Sequence, residues 1–153
     1  MIKQEKMIKA ILLLVLCTFT LCVKQENLDK GLKVSTHPTL GDYLTDKEGM
    51  SLYMLDLDTE YTSNCYDDCV KTWPPYDINT GVTVYGDIKD TLLGRFQRGD
   101  GFNQLTFNKM PLYFYSKDTL AGDVSGHGMM DFGGRWYLMS PNGTPIRKMV
   151  SPS

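Results

Sequence analysis

Residues 44–59 and 105–119 are two versions of one segment, and no other feature of the chain restricts its fold as strongly. Leu52, Tyr53, Leu55, Asp58 and Thr59 fall on Leu112, Tyr113, Tyr115, Asp118 and Thr119 at an offset of 60 residues, with one deletion in the preceding turn. Two copies are too few for a solenoid, in which each repeat buries its face on the next, but they suffice for one domain made of two related halves. Each copy reads as a hairpin. A strand ending in Leu-Thr leads to a turn at 46–49 or at Asn108-Lys109, then to a second strand rich in Tyr, Phe and Leu that runs into an acidic loop. Further strands are predicted at 82–85, 93–97 and 135–140, with Pro141-Asn142-Gly143 turning into a last short strand near Ile146. Residues 87–93 add one helical turn closed by Gly94, and helical periodicity is otherwise weak. The expected fold is all-β, a small barrel or sandwich built from two related hairpin-containing halves at about 40–76 and 93–145, inside a single domain at 40–148. With 42% apolar and 11% aromatic residues the chain can pack one core, and that composition excludes a disordered tail, a collagen-like repeat and a coiled coil.

The N-terminus predicts a compartment. Lys3, Lys6 and Lys9 stand against Glu5 and precede an apolar run from Ala10 to Cys22, which outlines a signal peptide over residues 1–22. The run of 13 residues falls short of the ~20 needed to cross a bilayer. Thr20 and Cys22 supply the small side chains for cleavage before Val23, and residues 23–39 follow as a polar lead. Leu16 before Cys17 and Leu21 before Cys22 leave no small residue where a lipidated cysteine requires one. The expectation is a secreted monomer with no membrane span once the signal is removed. The 16 Lys+Arg against 18 Asp+Glu, with no basic run beyond the N-terminus, argue against a nucleic-acid partner.

Two of the four cysteines lie in that signal, which leaves Cys65 and Cys69 to form one disulfide in an oxidising compartment. Asp67, Asp68, Pro74 and Pro75 bracket the pair as start and stop signals of a short helix. A redox centre prefers Cys-x-x-Cys beside cationic groups, whereas here the spacing is one longer and two carboxylates intervene. Closed zinc coordination needs four ligands, and only His37 and His127 are available besides this pair.

Ordered pieces of the chain resemble a known family. They include Leu40-Gly41-Asp42-Tyr43-Leu44-Thr45-Asp46, Cys69-Val70-Lys71-Thr72-Trp73-Pro74-Pro75, Gln104-Leu105-Thr106-Phe107, Pro111-Leu112-Tyr113-Phe114-Tyr115-Ser116-Lys117-Asp118 and Trp136-Tyr137-Leu138-Met139-Ser140. The chain is similar over about residues 40–145 to the secreted repeat of unknown function family, predicted lipoproteins with a Tyr-x-(Phe/Trp/Tyr)-x-x-Asp motif. Tyr113 to Asp118 fits that motif in full. The first copy, Tyr53 to Asp58, departs at Leu55, and the lipid-attachment box is missing. The resemblance implies a compartment and a domain type, and no catalytic residues.

Tyr53, Tyr113, Tyr115, Asp58 and Asp118 are the candidate binding residues. In one reading the two carboxylates cap the loops that leave each hairpin and serve the Tyr hydroxyls. In the other, two Tyr/Asp corners line one cleft and present aromatic faces with carboxylates to an extracellular ligand. Asp56, Asp58 and Glu60 alternate as in a calcium loop, but Tyr61 stands where an EF-hand needs Gly, so only an irregular calcium loop stays open. Gly126-His127-Gly128-Met129-Met130 offers soft copper ligands in what reads as a glycine-rich loop. Arg98-Gly99-Asp100 spells an adhesion tripeptide, although Asp100-Gly101 is more simply a hairpin turn. Nucleophile-elbow, phosphate-loop and zinc-protease patterns are absent from the sequence. Asn142-Gly143-Thr144 is an N-glycosylation sequon on an expected exposed turn. The function expected is a secreted binding or structural module with no assigned catalysis and no cofactor, the alternative being a redox or metal-handling protein for copper or calcium.

Overall fold

A computed structural model describes residues 30–79 and 81–149. The expected signal peptide and most of the expected polar lead lie outside these residues. Among the described residues nine strands form in chain order: β1 Gly31–His37, β2 Gly41–Asp46, β3 Tyr53–Leu55, β4 Thr83–Val84, β5 Leu93–Gln97, β6 Asn103–Phe107, β7 Met110–Pro111, β8 Met130–Asp131 and β9 Gly134–Leu138. One helical turn, α1 Cys69–Thr72, follows β3, and a 3-10 turn at Asp90–Leu92 precedes β5. Gly94 does not close that turn, because Leu93 donates to the Asp90 carbonyl and Gly94 is already in β5. The strands make three small sheets, ordered β2-β1-β4, β3-β9-β8 and β5-β6-β7, an all-β, sandwich-like arrangement that does not close into a barrel. β1 falls inside the stretch that reads as a polar lead. Leu32 is fully buried and Val34 half-buried between polar neighbours, an alternation too short to stand out beside Lys30, Lys33 and Thr36.

The two halves repeat one set of backbone bonds about their centre. Leu44 donates its N–H to Met139 (2.8 Å) and Leu105 to Tyr76 (2.9 Å). Leu52 donates to Leu44 and Leu112 to Leu105, both at 3.0 Å, while Met139 donates to Leu52 (3.1 Å) and Tyr76 to Leu112 (2.9 Å). At the centre Tyr53 and Tyr113 exchange both backbone bonds, 2.8 Å one way and 2.9 Å the other. A pseudo-twofold axis therefore passes between these residues. The halves also cross over: β3 of the first half pairs with β9 of the second, and Tyr113 of the second half bridges Pro75 of the first.

Two apolar clusters result. One gathers Leu32, Leu44, Leu52, Leu105, Phe107 and Leu112 with their neighbours. The other lies on the axis, where Trp73 and Trp136 stack at 3.9 Å between centroids and 2° between planes. Tyr53 meets Trp73 edge-on at 5.5 Å, and Tyr113 meets Trp136 edge-on at 5.1 Å. Offset stacks and edge contacts of this kind contribute roughly 0.5–1.5 kcal/mol each beyond the area they bury. α1 is short because Trp73 leaves the helical region before Pro74, which cannot continue it. The Cys65–Cys69 disulfide is formed, with both residues buried under Trp73.

Candidate functional site

The repeated Tyr and Asp side chains meet across the axis. Tyr53 donates its hydroxyl to Asp118 Oδ2 at 2.6 Å, and Tyr113 donates to Asp58 Oδ2 at 2.6 Å, so each copy's tyrosine is served by the other copy's carboxylate. The second oxygen of each Asp caps its own loop. Asp58 Oδ1 accepts the Asn64 N–H at 2.7 Å, and Asp118 Oδ1 accepts the Ser125 N–H (3.1 Å) and hydroxyl (2.6 Å). All four residues are buried, Asp58 at 5% exposure and Asp118 at 7%. Tyr115 stacks on Trp73 at 4.3 Å, while its counterpart Leu55 packs against Gly134 of β9, where even a Cβ would clash.

Burial pushes both tyrosine hydroxyls far above their ordinary range, so they remain donors at every pH the protein meets. Burial also raises Asp58 to about 6, against the opposing pull of the Tyr113 hydroxyl, the Asn64 N–H and Arg98. The corners differ behind the tyrosines. Tyr53 Oη accepts the Gly126 N–H at 3.3 Å, whereas Tyr113 Oη lies 2.7 Å from Ser63 Oγ.

A family profile described as a secreted repeat of unknown function matches residues 34–76 and 94–139, more than half of the chain. The chain belongs to this family. Each matched copy of the secreted repeat contains one Tyr and one Asp of the motif; the second ends on β9, which pairs with Tyr53, and the first at Pro75-Tyr76, where Pro75 bridges Tyr113. No curated protein and no solved structure matches the chain.

One residue at the centre of this secreted repeat was not legible as such. Arg98 has its side chain fully enclosed and uses every guanidinium donor: Nε and one terminal nitrogen on Asp100 (2.8 and 2.7 Å), the other on Ser63 Oγ and Gln104 Oε1 (2.7 Å each), with the Cys65 carbonyl taking the last. The Tyr66 ring covers it at 4.5 Å. Arg98 thus clamps the disulfide loop to the β5–β6 hairpin, and holds the Asp100 carboxyl below its usual range. Ser63 Oγ accepts from Arg98 and from the Tyr113 hydroxyl, which also faces Asp58, and donates to the Cys65 carbonyl at 3.2 Å. The adhesion tripeptide is closed on itself, its Arg buried and salt-bridged to its own Asp at 2.7 Å.

The other candidates are dispersed. Asp56 accepts the Arg135 N–H at 2.8 Å, Asp58 points inward, and Glu60 pairs with Lys109 at 3.0 Å, so the alternating carboxylates diverge. His127 accepts the Leu138 N–H at Nδ1 (3.2 Å) and reaches the Lys148 carbonyl through Nε2 (2.7 Å), leaving neither nitrogen toward Met129 or Met130. Burial holds its ring below the usual histidine range. Among the described residues no three His, Cys, Asp or Glu side chains gather as metal ligands do. Asn142 is exposed, but its turn differs from the tight pair expected. Gly143 donates to Ser140 (3.0 Å) and alone has positive φ, 82°, so Pro141-Asn142 form the turn and Gly143 the left-handed residue after it. Asn142 Oδ1 accepts the Thr144 hydroxyl at 2.7 Å.

Proposed function

We propose that the chain is a secreted, monomeric, non-catalytic module that acts by presenting a rigid surface to an extracellular partner, and that its Tyr/Asp motif is the joint that makes it rigid. One observation carries this reading: the motif's four polar side chains are buried and bonded reciprocally across the two copies. Hydroxyls and carboxylates so engaged have no capacity left for a substrate, and a joint made by exchange resists bending of either half alone. The closed, covered Cys65–Cys69 bridge supports a structural thiol pair over a redox pair, since exchange requires access for an attacking thiolate.

The test is removal of each hydroxyl. Tyr53→Phe and Tyr113→Phe each leave a buried carboxylate short of a donor, and each is expected to cost about 1–3 kcal/mol in denaturant unfolding. Amide protection should fall in both halves together. Unchanged denaturation midpoints in both variants would remove the structural reading and return the motif to a ligand.

A further inference from the structure

The hairpins β1–β2 and β5–β6 correspond, but their outer edges differ. Lys33 of β1 pairs with Thr45 as Gly94 of β5 pairs with Thr106, which makes β1 and β5 equivalents. The outer edge of β1 is taken. β4 runs parallel to it with Leu32 opposite Val84, Thr83 donating to the Lys30 carbonyl and Tyr85 to the Leu32 carbonyl, both at 2.8 Å. β5, by contrast, is the outermost strand of its sheet.

The bonds flanking β5 say which of its groups face outward. Asn108 donates to the Leu92 carbonyl (2.7 Å) and Arg98 to the Phe102 carbonyl (2.8 Å), so Gly94 and Phe96 turn their backbone groups to β6 and the alternate residues turn theirs away. The Leu93 carbonyl and both backbone groups of Arg95 and Gln97 thus form an open edge among the described residues. A groove of about 230 Å³ runs beside it, lined by Ile78, Val82, Leu93 and Leu105, with Arg95 also on its wall. Arg95 is exposed.

We propose that the edge of β5 receives an extended peptide segment of a partner protein as an added strand, parallel to β5, with an apolar side chain seated in the groove and a carboxylate toward Arg95. The first half displays the geometry. Its own edge holds a short β-branched and aromatic segment in parallel register; of the carbonyls that segment reaches, Lys30 corresponds to Thr91 in the 3-10 turn and Leu32 to the open Leu93 carbonyl, so an added strand engages β5 from Leu93 onward, along Arg95 and Gln97. A second copy of the chain fits less well, because two β5 strands related by a twofold run antiparallel. This inference goes beyond the module reading, and its test touches no Tyr or Asp of the motif, so each stands or falls separately.

The probe is a synthetic peptide with the sequence of residues 81–89, added to the isotope-labelled, disulfide-bonded protein. Amide shifts should concentrate on Leu93, Arg95 and Gln97, and exchange of the Arg95 amide should slow about tenfold at saturation. The same peptide N-methylated at its tyrosine nitrogen, the donor to the Leu93 carbonyl, should bind about tenfold more weakly. The proposal is overturned by absence of binding at about 1 mM peptide, by shifts on β1 instead, by equal binding of the methylated peptide, or by Arg95 protection in the free protein that rises with its concentration, which would assign the edge to a second copy.

Discussion

Asp58→Asn should change the pH dependence of stability in a sign that the geometry fixes. In the folded protein burial raises the Asp58 carboxyl from 3.8 to about 6, whereas in the unfolded chain it titrates at the ordinary value. A carboxyl raised on folding binds its proton more tightly in the native state. Its contribution is therefore fully present below pH 4 and is lost as pH rises through about 6. A shift of this size corresponds to about 3 kcal/mol. The amide keeps the shape and has no charge to bury, so below pH 4 it mimics the protonated acid. Between pH 4 and 7 the variant should gain about 3 kcal/mol relative to the parent, whatever the other carboxylates do, because they are common to both proteins. Denaturant unfolding of the two proteins at half-unit pH steps measures the difference directly. A difference that is flat, or one in which the variant loses ground as pH rises, would refute the reasoning. The second outcome would mean that Tyr113, Asn64 and Arg98 stabilise the carboxylate more than burial penalises it.

Phe132 and Gly133 both have positive φ, 50° and 82°, at the tip of the β8–β9 hairpin, a conformation that Asn adopts more readily than Phe. Phe132→Asn should raise stability by about 1 kcal/mol, read as an increase in Tm. Replacing both Cys65 and Cys69 with Ser should cost about 2 kcal/mol, the chain-entropy value for so short a loop, and peptide mapping without reductant should recover the bridged pair from the parent. On material secreted by a eukaryotic cell, a glycan-removing amidase should lower the apparent mass and convert Asn142 to Asp, as expected for an exposed acceptor whose amide oxygen is held by Thr144.

Most of the strands, though neither β1 nor β8, and the disulfide were legible because each rests on a local signal. Alternation and Leu-Thr endings mark β2 and β6, and two cysteines four apart in a secreted chain have one obvious use. The pairing of each Tyr with the distant Asp was not legible. Within either copy the motif suggests a tyrosine and aspartate that meet locally, and only the crossing of the halves separates them. The Trp stack escaped for a related reason: Trp73 and Trp136 are structural equivalents, but they stand 63 residues apart, not 60, so an alignment anchored on the hairpins passes over them. Arg98 misled because a charged residue beside Gly99 reads as a surface turn, and nothing local announces that Ser63, Cys65, Gln104 and Asp100 will enclose it.

The crossing of the halves also governs when the chain can fold. Tyr53 waits for a carboxylate 65 residues further on, and Tyr113 reaches back 55 to its own. Among the described residues β3 pairs with β9, the last strand in chain order, and Tyr53 bridges Tyr113, so all its partners come from the second half. A chain emerging N-terminus first therefore carries its first repeat without a stable home until almost the whole polypeptide is available. Contacts this distant in sequence slow folding and favour one concerted transition over stepwise assembly of lobes. Until then the Tyr53–Leu55 strand offers an unsatisfied edge to any other nascent copy nearby. Crowding during export is thus the condition under which this protein is most exposed to strand exchange between molecules, a hazard created by the same reciprocity that holds the finished domain together.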